Sequence, residues 1–142
     1  MFTSKRTFYL EWGDCDPAGI LHFSRYFVFF DACTGSLFER AGLPWQELFP
    51  KYSLVGVPLV EANARFFAPT SFGETVVIES QVSEWGRSSF WVVHRLYSGD
   101  ILACEGLEKR VWAVRAEGET KRMQSRAIPQ EVIERLSRNS DS

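Results

Sequence analysis

Two aspartates, Asp14 and Asp16, flank Cys15 in a segment that continues with Pro17 and Gly19. Pro17 disfavours helical backbone angles at Asp16 and keeps that residue extended, while Gly19 permits a backbone path that larger residues resist. Alternate side chains of an extended segment share a side, so Asp14 and Asp16 project together and Cys15 projects opposite. The spacing therefore predicts a tight turn that presents a carboxylate for nucleophilic or general-base chemistry.

A helix is predicted to begin just after this turn, over residues 24–41. Apolar residues recur there at helical spacing, Ser24 is a candidate N-cap, and Gly42 lies just past the end. The first N–H groups of a helix lack intrahelical acceptors and carry the positive end of its dipole. A carboxylate on one side of a carbonyl and such donors on the other suit acyl transfer. A thioester matches this arrangement best, because its thiolate leaves without a strong general acid.

The alternative interpretation is that Asp14 and Asp16 only form an Asx turn or cap the helix, as Asp beside Pro and Gly often does. Cys15 is a weaker nucleophile candidate, because alternation points it away from Asp16 and no His base is evident. The sequence has no Gly-x-Ser-x-Gly elbow, no Cys or His pair at metal spacing and no Gly-rich phosphate loop. We therefore expect neither a metal nor another cofactor.

The remaining elements are predicted to be mainly strands. Val76, Ile78 and Val82 share one face of an alternating segment whose other face is polar, which is typical of a half-buried antiparallel strand. Similar reasoning predicts strands over residues 6–12, 55–67, 75–85, 89–98 and 101–115, a loop through Pro50, and a short helix over 130–138. This order predicts one α+β domain over residues 1–142, with a sheet packed on one long helix.

Composition limits the possible partners. Hydrophobic residues make up 45% and aromatic residues 15% of the chain, which excludes a disordered protein, and a single helix cannot cover both faces of a broad sheet. We therefore expect a homo-oligomer. The net charge of −2 without a basic block argues against nucleic-acid binding. No apolar run approaches the roughly 18 residues of a membrane span, and three scattered cysteines indicate free thiols, so we expect no membrane association and a cytoplasmic location.

Residues 13–20, with Tyr26 and Asp31 downstream, resemble the signature of the 4-hydroxybenzoyl-CoA thioesterase family of hot-dog proteins. The similarity continues through residues 42–44, 55–60, 63–64, 84–85 and 89–90, and so covers most of the chain. It implies a hot-dog fold, in which an antiparallel sheet of about five strands wraps around one long helix. The strand and helix order predicted above agrees with that implication.

The resemblance implies hydrolysis of an aromatic acyl-CoA, 4-hydroxybenzoyl-CoA or a related benzoyl-CoA, to the free acid and coenzyme A. Asp16 matches the family's catalytic carboxylate, as nucleophile or general base, and the backbone N–H of Phe23 matches the donor that polarises the thioester carbonyl. The resemblance also implies a homotetramer of two hot-dog dimers, with active sites at subunit interfaces, and a role in aromatic compound degradation.

Four further residues are implied as substrate contacts. Asp31 matches a residue associated with a para-hydroxyl group, whereas Val57 stands where enzymes acting on that group carry a polar residue. Arg87 is what remains of a denser basic cluster for the nucleotide phosphates, and His22 lies beside the oxyanion donor. Two of the four also have a plainer interpretation: Asp31 could satisfy polar groups at a subunit interface, and Arg87 could be a solvated turn residue.

Two other interpretations of function stay open at this point. One is a thioesterase for short-chain or other aliphatic acyl groups on coenzyme A or acyl carrier protein, which a wide aliphatic pocket would favour. The other is a non-catalytic acyl-CoA-binding subunit with the same fold, since fold does not dictate function. A hot-dog dehydratase is less favoured, because its His-bearing catalytic segment is not recognisable.

Overall fold

The structure is a computed structural model that describes residues 1–116 and 122–139. Residues 117–121 and 140–142 of the predicted domain lie outside this description. Its elements, in chain order, are β1 (Ser4–Tyr9), α1 (Phe23–Arg40), α2 (Trp45–Tyr52), β2 (Leu54–Gly56), β3 (Leu59–Phe66), β4 (Thr75–Trp85), β5 (Ser89–Ser98), β6 (Ile101–Val111), β7 (Ala113–Arg115), β8 (Met123–Ser125) and α3 (Gln130–Ser137).

Five antiparallel strands form the main sheet, in the order β1-β4-β5-β6-β3. Helix α1 packs across β1, β4 and β5. Its buried side chains, among them Phe30 and Cys33, pack with inward-facing residues of the strands, among them Ile78 and Leu96. The predicted α+β architecture, with a five-stranded sheet on one long helix, is confirmed.

Of the two capping predictions for α1, the one for its N-terminus was wrong and the one for its C-terminus was correct. His22, not Ser24, is the N-cap, so the prediction for Ser24 was wrong. The C-terminal prediction was correct: Gly42 has φ +83°, its N–H donates to Glu39 O at 3.1 Å, and the Leu43 N–H donates to Phe38 O at 2.9 Å. This pair of bonds is a Schellman motif, which needs a residue that tolerates positive φ.

The strand and loop predictions need five corrections. The predicted loop through Pro50 contains helix α2, which forms because Leu48 buries itself in the core even though Pro50 removes a donor. The predicted strand 55–67 divides into β2 and β3 at Pro58, and the predicted strand 101–115 divides into β6 and β7 at Trp112. The first strand begins and ends earlier than predicted, and a short 3-10 turn (Trp12–Asp14) follows it. Strand β8 was not predicted.

These divisions create a second, three-stranded sheet in the order β2-β7-β8. Trp112 and Leu136 are fully buried between this sheet, α2, α3 and the C-terminal half of α1. None of the described helices is long and apolar enough to cross a membrane.

Candidate active site

The turn that contains Asp16 is held closed by its own backbone. The Asp16 N–H donates to Ile20 O and the Gly19 N–H donates to Asp16 O, each at 2.9 Å. Gly19 has φ +79°, a left-handed conformation that glycine adopts without a steric penalty. The Ala18 N–H donates to Asp16 Oδ1 at 2.8 Å, while no donor in the described ranges reaches Oδ2. The Asx-turn interpretation therefore holds for one oxygen and leaves the other available.

Asp14 has a structural role. Its Oδ1 accepts a hydrogen bond from Arg25 Nε at 3.1 Å, and its Oδ2 accepts one from the Glu11 N–H at 3.1 Å. Both carboxylate oxygens are thus occupied, and the side chain links the 3-10 turn to the first turn of α1. The two aspartates of the motif have different surroundings, and of the two only Asp16 retains an unbound oxygen.

The start of α1 supplies donors beside this turn. No acceptor in residues 1–116 and 122–139 receives a hydrogen bond from the Phe23 N–H, as expected for the first residue of a helix. The preceding residues are fixed in place, because the Leu21 N–H donates to Thr70 O at 2.8 Å and the His22 N–H donates to Asp14 O at 2.9 Å. The backbone before Phe23 is therefore fixed by hydrogen bonds, and the Phe23 N–H is unpaired among the described residues.

His22 combines a capping role with a place at the site. The Ser24 N–H donates to His22 Nδ1 at 3.2 Å, and the Ser24 hydroxyl lies 2.8 Å from the same nitrogen. A backbone N–H can only donate, so this geometry assigns Nδ1 as the unprotonated nitrogen and places the ring proton on Nε2. A neutral His22 therefore offers an Nε2–H donor next to the helix start.

A cavity of about 640 Å³ opens over these groups. Asp16, His22 and Phe23 line it together with the aromatic side chains of Tyr26, Phe66 and Phe67. The tertiary structure thus brings together three of the six predicted site residues and surrounds them with apolar walls. Such a wall suits an acyl group, and exclusion of water strengthens hydrogen bonds to developing charge.

The other three predicted site residues lie elsewhere in the chain. Asp31 projects from the middle of α1 with a side chain that is 64% exposed, and Arg110 Nη2 donates to its Oδ1 at 2.7 Å. Val57 buries its side chain in the core and accepts a hydrogen bond on its carbonyl from Arg110 Nη1 at 2.9 Å. Arg87 is exposed in the turn between β4 and β5. Within one chain none of the three lines the cavity, so their role in substrate binding stays a prediction.

Three tryptophans, Trp45, Trp85 and Trp91, do not line this cavity either. Trp45 packs against Phe38, with ring centroids 5.8 Å apart, and Trp85 packs against Phe90 at 5.7 Å. Trp91 lies on β5 under the ammonium group of Lys109. The aromatic walls of the cavity come instead from α1 and from the end of β3.

Cys15 is not suited to nucleophilic chemistry. Burial raises the pKa of its thiol, and the neighbouring carboxylates of Asp14 and Asp16 raise it further. The thiolate is the reactive form, so these effects suppress reactivity. Within the described ranges, no group of three or more His, Cys, Asp and Glu side chains is arranged to hold a metal ion.

The sequence interpretation missed a buried polar network on the inner face of β6. Glu108 accepts hydrogen bonds on Oε1 from Thr34 Oγ1 at 2.5 Å, His94 Nε2 at 3.0 Å and Arg110 Nε at 3.1 Å. His94 Nδ1 lies 2.7 Å from Ser80 Oγ. Burial raises the pKa of Glu108, but hydrogen bonds from His94 and Arg110 outweigh it and hold the pKa at about 2. The sequence feature that could have revealed this network is the pair Glu108 and Arg110, two charged residues on the same inward face of a strand.

Comparisons with known proteins find thioesterases. A family model described as the thioesterase-like superfamily matches residues 10–136. The chain is 36% identical over 134 residues to a 4-hydroxybenzoyl-CoA thioesterase from Pseudomonas sp. strain CBS-3, covering 90% of this chain and 93% of that protein. It is 28% identical over 92 residues to a 1,4-dihydroxy-2-naphthoyl-CoA hydrolase from Prochlorococcus marinus strain NATL2A, covering 61% of this chain and 58% of that one.

The fold also matches a solved structure of a 4-hydroxybenzoyl-CoA thioesterase. A crystal structure of an Asp-to-Asn variant of 4-hydroxybenzoyl-CoA thioesterase, in complex with 4-hydroxybenzoyl-CoA, superposes with a TM-score of 0.86 at 31% identity. The superposition covers 95% of this chain and 99% of that one. The likeness therefore extends over nearly the whole of both chains.

Proposed function

The chain belongs to the 4-hydroxybenzoyl-CoA thioesterase family of the thioesterase-like superfamily and is an acyl-CoA thioesterase of hot-dog fold, and we propose that its substrate is a hydroxylated aromatic acyl-CoA, 4-hydroxybenzoyl-CoA first among them. The products are the free acid and coenzyme A. The observation that carries the proposal is the cavity in which the unbound oxygen of Asp16 and the unpaired N–H of Phe23 meet apolar walls.

In this mechanism the Phe23 N–H donates a hydrogen bond to the thioester carbonyl oxygen and binds it more strongly as negative charge develops. The positive end of the α1 dipole acts on the same oxygen. Asp16 Oδ2 either attacks the carbonyl carbon, expels the coenzyme A thiolate and forms an anhydride that water cleaves, or removes a proton from a water that attacks directly. Neither route needs a metal or another cofactor.

The aromatic substrate class has two supports. The cavity walls contributed by Tyr26, Phe66 and Phe67 provide flat apolar surfaces for a ring. The relatives named above act on 4-hydroxybenzoyl and 1,4-dihydroxy-2-naphthoyl thioesters, and both of these acyl groups are hydroxylated aromatic rings. Hydrolysis of such thioesters belongs to the degradation or processing of aromatic compounds.

A second copy of the chain is proposed to complete the site. Strand β3 is an edge of the main sheet, and both its faces are exposed in the single chain. Val60 and Phe66 on this strand, and Phe67 just after it, are each more than half exposed. An exposed apolar edge of this kind favours pairing with another strand. Because Phe66 and Phe67 also line the cavity, a partner covering β3 would close it. This arrangement supports assembly into dimers, which we expect to pair into a homotetramer.

The test is thiol release from 4-hydroxybenzoyl, benzoyl, phenylacetyl and aliphatic acyl-CoA thioesters by the wild type and by Asp16→Asn. We expect fastest hydrolysis of the aryl thioesters and a loss of kcat by about three orders of magnitude or more in the variant, the scale on which essential catalytic groups act. Substrate binding should persist, because Asn keeps the shape of the side chain and its hydrogen bond from Ala18. Binding is measured by calorimetry with the intact thioester.

Asp14→Asn is the matched control, because it makes the same chemical change two residues away. Both carboxylate oxygens of Asp14 already accept hydrogen bonds, one from Arg25 and one from the Glu11 N–H. The control variant should therefore lose stability while keeping most of its turnover. Near-normal turnover in Asp16→Asn would remove Asp16 from the mechanism. A preference for aliphatic thioesters would overturn the aromatic substrate, and tight binding without hydrolysis by the wild type would favour a binding subunit.

A further inference from the structure

A second cavity, of about 530 Å³, lies at the C-terminal end of α1. Its walls come from the start of β1, the end of α1 and the end of α3, and the Phe2 N–H donates to Leu136 O at 3.3 Å, which ties the N-terminal segment to α3. Arg40 on its wall is the last residue of the 18-residue helix α1 and Phe23 is the first, so about 25 Å of helix separates them. No described residue lines both cavities. This cavity is therefore separate from the candidate active site.

Four cationic side chains line this cavity, which we call the arginine cavity: Lys5, Arg40, Arg135 and Arg138. No Asp or Glu within residues 1–116 and 122–139 lines it. Of the four cations, only Lys5 forms an ion pair in the described ranges, from Nζ to Glu79 Oε1 at 3.1 Å. The three arginines thus carry positive charges that no paired carboxylate offsets, and like charges around one cavity repel each other. A bound anion would relieve that repulsion.

Neutral acceptors hold two of the arginines in place. Arg40 Nη1 donates to Ser4 Oγ at 3.2 Å and to the carbonyl oxygen of Lys5. Arg135 Nη1 donates to Gly42 O at 3.3 Å. A guanidinium has five N–H donors in one plane, so each group keeps further donors that have no acceptor among the described residues. These contacts therefore orient the two guanidinium groups without neutralising them.

The carboxylate that faces this cluster from the neighbouring pocket is Glu131, and it already has other partners. Glu131 Oε1 accepts hydrogen bonds from Lys51 Nζ at 2.6 Å and from the Tyr52 hydroxyl. These two bonds are the main reason why the pKa of Glu131 is lowered, and the charge of Arg135 contributes less. Arg138 is exposed, and its guanidinium has no acceptor in the part of the chain that the structure describes. Glu131 therefore offsets little of the positive charge of the arginine cavity.

We propose that the arginine cavity binds a phosphorylated small molecule, with Arg40, Arg135 and Arg138 as its phosphate ligands. Arginine suits this role because its planar fork of donors matches the oxygens of a phosphate, which accept two N–H groups at once. One phosphate ester carries about −1.5 to −2 charges near neutral pH, so a diphosphate matches three uncompensated arginines better than a carboxylate does. The inference is independent of the proposed function, whose residues line the other cavity.

The experiment is isothermal titration calorimetry of the full chain with inorganic phosphate, inorganic diphosphate and ADP at low ionic strength. We expect one diphosphate to bind per chain, more tightly than one phosphate, and more weakly as salt is added, because salt screens the charges. Arg138→Gln should raise the Kd for diphosphate roughly tenfold or more, the effect of losing a charge-assisted hydrogen bond. Because Arg138 is exposed, this variant should fold normally, and thermal unfolding checks that it does.

The ADP titration separates the two sources of a diphosphate group. Equal Kd values for ADP and inorganic diphosphate would assign recognition to the phosphates alone, whereas a lower Kd for ADP would assign part of it to the nucleoside. A cavity of this size lies within the range of about 300 to 1,000 Å³ that small-molecule sites occupy, so it has room for such a group. Either result supports the site.

Arg95→Gln is the matched control, because it removes the same charge from an arginine that lies outside the arginine cavity and pairs with Glu105. Its Kd for diphosphate should equal that of the wild type. Equal weakening in Arg95→Gln and Arg138→Gln would overturn the proposal, because net charge and not the cavity would then explain the binding. Undiminished binding in Arg138→Gln, or no binding of any of the three compounds by the wild type at millimolar concentrations, would overturn it as well.

Turnover distinguishes this site from the candidate active site. Arg138→Gln should hydrolyse 4-hydroxybenzoyl-CoA with the kcat and KM of the wild type, and Asp16→Asn should bind diphosphate with the wild-type Kd, because the two cavities share no described residue. A higher KM in Arg138→Gln would show that the arginines bind the phosphates of the thioester, and would overturn a separate site. A wild type that binds diphosphate in this way but hydrolyses no thioester would contradict the proposed function alone.

Discussion

Replacement of Glu108 by Gln should reveal the buried network as a pH-dependent source of stability. The carboxyl has a pKa of about 2 in the folded protein, against an ordinary value of 4.5. At 1.36 kcal/mol per pKa unit, this depression corresponds to about 3 kcal/mol of folding free energy when the group is ionised. The substitution also removes the buried anion that faces Arg110 and leaves only the exposed carboxylate of Asp31, so the total loss near neutral pH should be about 3 to 5 kcal/mol.

The sign of the pH dependence follows from the direction of the shift. Because the folded pKa lies below the unfolded one, the contribution is fully present above about pH 4.5 and is lost progressively as the pH falls towards about 2. The variant cannot ionise at this position and lacks that contribution at every pH. The stability difference between wild type and Glu108→Gln should therefore shrink by about 3 kcal/mol over this range.

The measurement is urea unfolding followed by tryptophan fluorescence, at one fixed protein concentration because assembly adds to apparent stability. Glu105→Gln is the matched control: it lies on the same strand, and its partly exposed pair with Arg95 should contribute less than about 1 kcal/mol with little pH dependence. A large stability difference that stayed constant from neutral to acid pH would refute the reasoning. It would mean that packing, not ionisation, explains the effect of Glu108.

Two further substitutions test the packing and the turn around the site. Gly106→Ala should destabilise the fold by about 1 to 3 kcal/mol, because the added Cβ would lie 2.6 Å from Cδ2 of the buried Phe30 ring and closer still to its Cε2. Thermal unfolding measures this loss of stability. Gly19→Ala should cost about 1 kcal/mol and lower kcat by at least tenfold, because a side chain disfavours φ +79° and the turn holds Asp16. Turnover of 4-hydroxybenzoyl-CoA measures the second effect.

Each of these substitutions has a control with the same chemical change. Gly56→Ala adds a methyl group where no atom lies within 4 Å, so it should leave stability nearly unchanged. Gly99→Ala imposes a similar backbone cost at φ +60° in the turn between β5 and β6, away from Asp16, and should reduce stability without reducing kcat. Equal losses of kcat in Gly19→Ala and Gly99→Ala would contradict a specific role for the Asp16 turn.

Local signals in the sequence were sufficient for much of the fold. The alternation in residues 75–85 and 89–98 predicted β4 and β5 with the observed bounds, because side chains of a half-buried strand alternate between core and solvent. Gly42 marked the end of α1 for an equally local reason. Helix α2 was missed because Pro50 indicates a loop, whereas burial of Leu48 in the core stabilises a helix there.

For the candidate site, too, some features followed from the sequence and others from the tertiary structure. The sequence by itself determined the turn, since Pro17 and Gly19 restrict the backbone around Asp16, and it placed a helix start just downstream. The local spacing did not distinguish Asp14 from Asp16, and the choice of Asp16 came from the family resemblance. The physical distinction between them came from Arg25, which lies in the first turn of α1 and binds Asp14.

Only the tertiary structure decided which distant residues share a site. It placed Phe66 and Phe67 over Asp16, and it connected Asp31 to Val57 through Arg110, although about 80 residues separate Asp31 from Arg110. Strand register and helix packing set such contacts, and both depend on the summed burial of many side chains. Local periodicity records which face of an element is buried, but not which partner that face meets.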